Sequence, residues 1–231
     1  MRGKIYGIGV GPGDPELMTL KACRLIRECG MIAVPGKDPY ASAAYRIAAG
    51  AEPRIHDKPC IGIDLPMVKD RELIRTYHRR AASQLEEILD RGTDIAYLTL
   101  GDVTIYCTFS YLQHILEKDG YEVELVSGIS SVTAAAARLN LPLSEWDEEL
   151  HIIPGVHTQA DAIELPGTLV IMKSASRMKQ VKDLLLKSGK KVQAVENCGM
   201  ENEKLYRSCE EIPDDAGYFS LIIATDRGEE P

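Results

Sequence analysis

A glycine followed by an acid and two hydroxyl-bearing side chains stands directly after an apolar run, and these residue types can bind a polar ligand. The run, residues 95–100, is almost continuously apolar, which is typical of a parallel strand covered on both faces. It breaks at Gly101, and Asp102, Thr104 and Tyr106 follow. In open α/β sheets ligands bind just past the carboxyl ends of strands, and glycine lets the backbone approach them. The pattern predicts a ligand site in which an acid could hold ribose hydroxyls. The alternative is an ordinary turn in which Asp102 or Thr104 caps the next helix.

A second glycine-rich turn follows the first predicted strand, residues 4–10. Glycines stand at positions 7, 9, 11 and 13, and Pro12 and Pro15 stiffen the turn. The pattern is neither a dinucleotide fingerprint nor a Walker A loop, and acids at Asp14 and Glu16 would repel a phosphate at the helix start. The turn therefore favours an uncharged or cationic ligand. The alternative is a tight strand-to-helix corner with Asp14 as its cap.

A third turn of this kind, residues 127–131, follows a predicted strand over residues 122–126. It contains Ser127, Gly128, Ser130 and Ser131, and the alanine-rich residues 132–139 come next. Small side chains there would let the start of a helix lie close to a bulky group.

The elements that must position these turns alternate between strands and helices. In the first half we predict a strand over residues 31–35, helices over 40–51, 70–91 and 109–118, and a loop-rich segment over 52–67, where prolines and Gly62 break any long element. In the second half we predict strands over 150–154, 167–172, 191–196 and 220–225, with 204–208 pairing antiparallel. This alternation predicts two α/β domains, residues 1–128 and 129–231, with the active site in the cleft between them.

Composition narrows the classes of function. The chain has 231 residues, 45% of them hydrophobic, and a net charge of −8, which disfavours a nucleic-acid-binding protein. The apolar runs are too short to span a membrane, and no secretory segment follows Met1. The six cysteines form no CxxC pair, so we expect reduced thiols in a cytoplasmic protein and no metal site.

Three motifs together resemble a known family. Residues 6–20, YGIGVGPGDPELMTL, look like the N-terminal signature of the tetrapyrrole (corrin/porphyrin) methyltransferases; residues 101–106, GDVTIY, resemble their second motif and residues 126–131, VSGISS, their third. The order and spacing match over essentially the full length. The segments TIYCTFSYL, LPLSEWDEELHIIPG and LVIMKSASRMKQV are most similar to the branch that methylates C20 of precorrin-2 or cobalt-factor II. One departure is Val103, where family members usually have proline; it loosens the turn but leaves the backbone free to approach a ligand.

The resemblance implies a set of residues around S-adenosylmethionine, whose cationic sulfonium and uncharged adenosine suit a glycine-rich turn flanked by acids. In the first domain and at its border the implied residues are Pro12, Gly101, Asp102, Val103, Thr104, Tyr106, Ser130 and Ser131. In the second domain they are Met172, Asn197, Met200, Ala224 and Thr225, with plain core packing as the alternative for Met172.

The implied reaction is S-adenosylmethionine-dependent C-methylation at C20 in cobalamin biosynthesis, by a homodimer with a tetrapyrrole substrate, without nucleic acid or membrane. No residue is singled out as a catalytic base. The substrate is a polyanion, and candidate cations for its carboxylates are Lys37, Arg54, Lys58 and Lys173. Alternatives are methylation of uroporphyrinogen III or of another corrin carbon, diphthine synthesis on a protein substrate, or a non-catalytic module that binds S-adenosylmethionine or a tetrapyrrole.

Overall fold

The computed structural model describes residues 1–66, 68 and 70–226, and the chain divides into two units, Met1–Ser130 and Ser131–Pro231. Each unit is built on one five-stranded sheet with helices packed against it. The predicted class, two α/β domains, is confirmed. The last residues of the predicted second domain, 227–231, lie outside the described residues.

The first sheet is wholly parallel, with strand order β3-β2-β4-β1-β5. Its strands are β1 (Ile5–Gly9), β2 (Met31–Pro35), β3 (Cys60–Ile63), β4 (Ile95–Thr99) and β5 (Val123–Val126). Its helices are α1 (Leu20–Glu28), α2 (Ala43–Ala51), α3 (Arg71–Leu89) and α4 (Phe109–Lys118). The central strands β1 and β4 carry apolar side chains on both faces because α1 and α2 cover one face and α3 and α4 the other. All carboxyl ends of the strands therefore meet at one edge.

Glycine at position 7 lets α4 pack closely on this sheet. A Cβ atom there would lie 2.3 Å from Cε1 of Phe109, the first residue of α4. The Phe109 ring also packs on Tyr97, with their centroids 4.7 Å apart. A glycine inside a strand thus marks a close approach, here by an aromatic ring.

The segment predicted to be loop-rich, residues 52–67, also contains one short strand, β3. Pro59 directly precedes the strand and Pro66 follows it, and β3 is an edge strand with one neighbour, β2. Proline is tolerated at such positions, so it does not rule out an edge strand. Position 62 of β3 requires glycine, because a Cβ there would lie 2.3 Å from the Gly36 carbonyl oxygen. Met67, the last residue of the predicted loop, lies outside the described residues.

The second unit holds a mixed sheet of order β6-β7-β10-β8-β9, in which only β6 and β7 pair parallel. Its strands are β6 (Leu150–Pro154), β7 (Thr168–Met172), β8 (Lys191–Glu196), β9 (Lys204–Tyr206) and β10 (Ser220–Thr225). Its helices are α5 (Ser131–Leu139), the short α6 (Ala160–Ile163) and α7 (Met178–Ser188). The predicted antiparallel pairing of the segment that begins at Lys204 is confirmed.

Among the described residues, no helix combines the length and apolarity that crossing a bilayer requires.

Candidate functional site

Three strand ends of the first sheet meet at their glycines. Gly9 ends β1, Gly101 follows β4 and Gly128 follows β5. The Gly101 amide donates to the Gly11 carbonyl oxygen at 2.8 Å, and the Gly11 amide donates back to Gly101 at 3.2 Å. The turns that the sequence singled out separately therefore form one cluster at the carboxyl edge of the sheet, where ligands of open α/β sheets bind.

Only glycine fits at the centre of this cluster. A Cβ at Gly128 would lie 2.4 Å from the Gly101 carbonyl oxygen, and one at Gly9 would lie 2.6 Å from the same atom. Both obstacles are backbone atoms, which cannot rotate away as a flexible side chain can. The result is that the three strand ends pack backbone against backbone at the carboxyl edge of the sheet.

Asp102 connects two of these turns. Its Oδ2 accepts the Gly128 amide at 2.9 Å, and its Oδ1 accepts both the amide (2.7 Å) and the hydroxyl of Thr104. Burial raises the pKa of Asp102, but the hydrogen bonds from Thr104, Gly128 and Ser127 outweigh it and hold that pKa below its ordinary 3.8. The ionised carboxylate therefore holds the β4 loop against the end of β5.

The alternative that Asp102 or Thr104 caps a helix was wrong. Helix α4 begins at Phe109, with Thr108 at its N-cap position. The Cys107 sulfur instead accepts the Phe109 amide at 3.4 Å and lies 3.1 Å from the Thr99 hydroxyl oxygen. The loop between Gly101 and α4 is thus fixed at both ends.

The side chains of this loop point in different directions. Val103 is buried in the core that faces α3 and α4, so only its backbone can contact a ligand at this edge. Thr104 is exposed, and Tyr106 is 44% exposed with a left-handed φ of 50°. Val103, where the family usually has proline, therefore anchors the loop through core packing.

The turn after β1 is partly the tight corner, capped by Asp14, that was the alternative to a ligand site. Asp14 accepts the Glu16 amide at 2.9 Å and caps a short 3-10 turn, Pro15–Leu17, so this acid is committed to local structure. Pro12, buried beside Gly11, remains at the carboxyl edge with the glycine cluster. Ser131 is the first residue of α5, directly after Ser130.

In the second unit the structure brings together only part of the predicted set. Met172 ends β7, opposite Leu221, and Asn197 follows Glu196, which pairs with Ser220. Because β10 runs antiparallel to both strands, its last residues lie at the other edge of the sheet. There Ala224 pairs with Leu169 and Thr225 with Lys191, and both side chains are buried. Three to six residues of strand, about 10 Å or more, separate them from Met172 and Asn197.

The loop after β8 is a closed turn that holds the other two predicted residues. Asn197 and Gly199 have left-handed φ values of 53° and 74°. The Met200 amide donates to the Asn197 carbonyl at 2.9 Å, and the Glu203 amide donates to the Met200 carbonyl at 3.0 Å. Asn197 and Met200 therefore lie in one compact turn at the same edge as Met172.

Two of the candidate cations for substrate carboxylates lie at the wrong end of the first sheet. Arg54 and Lys58 precede β3, so they lie at its amino edge, and Lys58 donates to the Cys29 carbonyl at 2.6 Å. Lys37 follows β2 at the carboxyl edge, where its side chain is 82% exposed and 3.6 Å from Asp64. Lys37 is therefore the candidate in this unit that shares an edge with the glycine cluster.

Gly9 and Gly128 stand in the glycine-containing turns of the sequence but are not among the predicted site residues. The signal was available, because glycine in or after an apolar strand indicates a close backbone approach. Ser127, whose side chain bonds Asp102, had no such signal. Among the described residues, no group of three or more His, Cys, Asp or Glu side chains could hold a metal ion.

Comparison with known proteins agrees with the three motifs. Residues 4–212 match the family described as Tetrapyrrole (Corrin/Porphyrin) Methylases. The chain is 36% identical to a probable cobalt-precorrin-2 C(20)-methyltransferase of Methanocaldococcus jannaschii over 87% of this chain and 86% of the relative. It is 28% identical to a precorrin-2 C(20)-methyltransferase of a Sinorhizobium species over 96% and 94%. A solved cobalt precorrin-4 methyltransferase shares the fold, with a TM-score of 0.77, 18% identity and coverage of 96% and 94%.

Proposed function

This chain belongs to the tetrapyrrole (corrin/porphyrin) methylase family, and from that premise we propose that it transfers a methyl group from S-adenosylmethionine to C20 of precorrin-2 or cobalt-factor II in cobalamin biosynthesis. The observation that carries the proposal is the 36% identity to a relative named for C20 methylation, over most of both chains. A relative named for the cobalt-free substrate is 28% identical, so both substrates stay within the proposal.

The glycine cluster suits this cofactor. It brings the ends of three strands together at the carboxyl edge of the sheet, the edge at which ligands of open α/β sheets bind. No arginine or lysine of the kind that a dinucleotide phosphate needs stands in residues 9–16, 101–106 or 127–131, and Asp102 adds negative charge suited to a sulfonium. We propose that Pro12, the loop 101–106 and the turn at Ser130 and Ser131 contact the cofactor, together with Met172, Asn197 and Met200. Ala224 and Thr225 stay predictions from the family resemblance alone.

S-adenosylmethionine, when bound, supplies an electrophilic methyl group. In the proposed reaction C20 attacks this methyl group in line, so that the new C–C bond forms as the S–C bond breaks and S-adenosylhomocysteine leaves. The C20 proton then passes to solvent. The chain's own contribution is to hold the two reactants in register, an effect that can supply several kcal/mol. Asp102 keeps the β4 loop in one conformation through its bonds to Gly128 and Thr104. We assign no residue as a catalytic base.

The family resemblance supports a homodimer, and the six cysteines, all of which are free, support a reducing compartment. We propose that the protein acts in the cytoplasm as a homodimer. Light scattering on the purified protein tests the dimer directly, and a monomer at micromolar concentration would contradict it.

The test of function is a methyl-transfer assay with precorrin-2 and cobalt-factor II side by side, following S-adenosylhomocysteine and the mass of the product. One added methyl, mapped to C20, is the expected result and identifies the substrate. Methylation of uroporphyrinogen III, or of a different carbon, would replace the proposal with another activity of the same family. Tight cofactor binding without turnover on any tetrapyrrole would point to a non-catalytic binding module.

A further inference from the structure

An ion pair in the second unit holds the loop that follows β8. Arg138, in the last turn of α5, bonds both carboxylate oxygens of Glu203: Nε lies 2.9 and 3.1 Å from them, and Nη2 lies 2.5 Å from Oε1. The Glu203 side chain is only 12% exposed, whereas that of Arg138 is 56% exposed. Such a forked pair fixes geometry better than a single contact between flexible side chains.

The same carboxylate also reaches inside the loop. Glu203 Oε2 accepts the Gly199 amide at 2.7 Å. Gly199 stands between Asn197 and Met200 and has a left-handed φ of 74°. The Arg138 guanidinium lowers the pKa of Glu203, and the Gly199 bond lowers it further, against the effect of burial. Glu203 is therefore ionised at neutral pH and connects α5, through Arg138, to the Gly199 amide in the loop.

We propose that Arg138 and Glu203 are positioning residues for cofactor binding, which hold Asn197 and Met200 in the conformation that contacts S-adenosylmethionine. This inference rests on the proposed function. Helix α5 carries Ser131 at its first position and Arg138 near its last, so the ion pair connects two parts of the proposed contact set within one unit. Neither residue touches the cofactor in this proposal; each acts through the loop.

A merely structural role would give a different result. An ordinary surface ion pair contributes little to stability, and breaking it leaves a distant ligand unaffected. Here the loop also contains Cys198, which is 8% exposed and whose pKa is raised to about 11, first by burial and then by Glu203. Loss of the Glu203 charge by itself lowers this pKa, whereas Arg138 lowers the pKa and its loss raises it, so faster Cys198 labelling in Arg138→Ala reports an opened loop and not a changed charge.

The chain offers a matched control at the opposite edge of the same sheet. The Asp226 carboxylate accepts hydrogen bonds from the Lys190 ammonium, with Nζ 2.5 Å from Oδ1, and from the Gly167 amide, with N 2.7 Å from Oδ2. This repeats the bonding of Glu203 without contacting the loop of residues 197–203. Asp226→Ala removes an equivalent set of bonds elsewhere in the unit.

The experiment compares Glu203→Ala and Asp226→Ala with the wild type by calorimetric titration of S-adenosylhomocysteine and by iodoacetamide labelling of Cys198, read by peptide mass. We expect Glu203→Ala, and Arg138→Ala tested alongside it, to weaken S-adenosylhomocysteine binding roughly tenfold because a charge-assisted bond network is lost, and we expect Arg138→Ala to accelerate Cys198 labelling. Asp226→Ala should leave both within twofold. Glu203→Gln, which retains one acceptor, should fall between Glu203→Ala and the wild type. It also takes the place of Glu203→Ala if that variant does not fold.

Each other outcome overturns the inference. Faster Cys198 labelling with unchanged affinity would mean that the pair only stabilises the loop. Equal losses of affinity in Glu203→Ala and Asp226→Ala would mean that general destabilisation is the cause. Failure of the wild type to bind S-adenosylhomocysteine would overturn the proposed function first and this inference with it, so the two failures are distinguishable.

Discussion

Asp102 is the residue whose single side chain does most to shape the candidate site. Its carboxylate accepts hydrogen bonds from the amide and the hydroxyl of Thr104, from the Gly128 amide and from the Ser127 side chain. In Asp102→Asn one oxygen becomes an amide nitrogen that faces a backbone donor, which costs about 1–3 kcal/mol. We expect S-adenosylhomocysteine to bind about tenfold or more weakly, measured by calorimetry. Asp14→Asn, which changes the acid that caps the preceding turn, is the control and should stay within a few-fold of the wild type.

The pH dependence of this effect has a definite sign. The pKa of Asp102 in the folded protein lies below 3.8, so its bonds are intact above that value and are lost only as the pH falls through the folded pKa. The ratio of wild-type to Asp102→Asn affinity should therefore be constant between pH 8 and pH 5. A ratio that declines within this window would show that the carboxyl protonates too early to brace the loop.

At the scale of elements, the close approach of the strand ends carries the site. Gly128→Ala places a Cβ against the backbone of both Gly101 and Gly9, so we expect a loss at the upper end of about 1–3 kcal/mol in the free energy of unfolding. Gly189→Ala, at the C-cap of α7 with a φ of 72° and open space around it, should cost only about 1 kcal/mol. Urea unfolding with S-adenosylhomocysteine titration measures both. Similar stability and similar S-adenosylhomocysteine affinity in the two variants would contradict the inference that the close approach of the strand ends carries the site.

The sequence predicted the helices and strands better than it predicted the tertiary contacts between them. Helix α4 and strand β10 have the predicted bounds because periodicity and flanking breakers are local signals. The bond between Asp102 and Gly128 spans 26 residues of sequence, and no local pattern encodes such a bond. Ala224 and Thr225 illustrate the same limit. The sequence showed a buried strand, but its antiparallel direction, which moves these residues to the far edge, depends on pairing with β7 and β8.

At the scale of the whole molecule, the net charge of −8 means that the proposed substrate, a polyanionic tetrapyrrole, has to be bound through local cations. The direction of the first sheet separates the candidates, since Lys37 lies at the carboxyl edge with the glycine cluster and Arg54 at the amino edge. Lys37→Gln and Arg54→Gln remove the same unit of charge, so any long-range effect of net charge is equal in both. A difference between them reports position alone.

We therefore expect Lys37→Gln to raise KM for the tetrapyrrole up to about fivefold, the equivalent of about 1 kcal/mol for one exposed charge pair. KM for S-adenosylmethionine should not change, because its single carboxylate is accompanied by an ammonium and a sulfonium and the molecule has no net negative charge. Arg54→Gln should leave both constants at wild-type values. Steady-state kinetics with each substrate varied in turn gives the comparison. Equal increases in the two variants would mean that the polyanion responds to net charge, and an increase confined to Arg54→Gln would place the substrate at the amino edge.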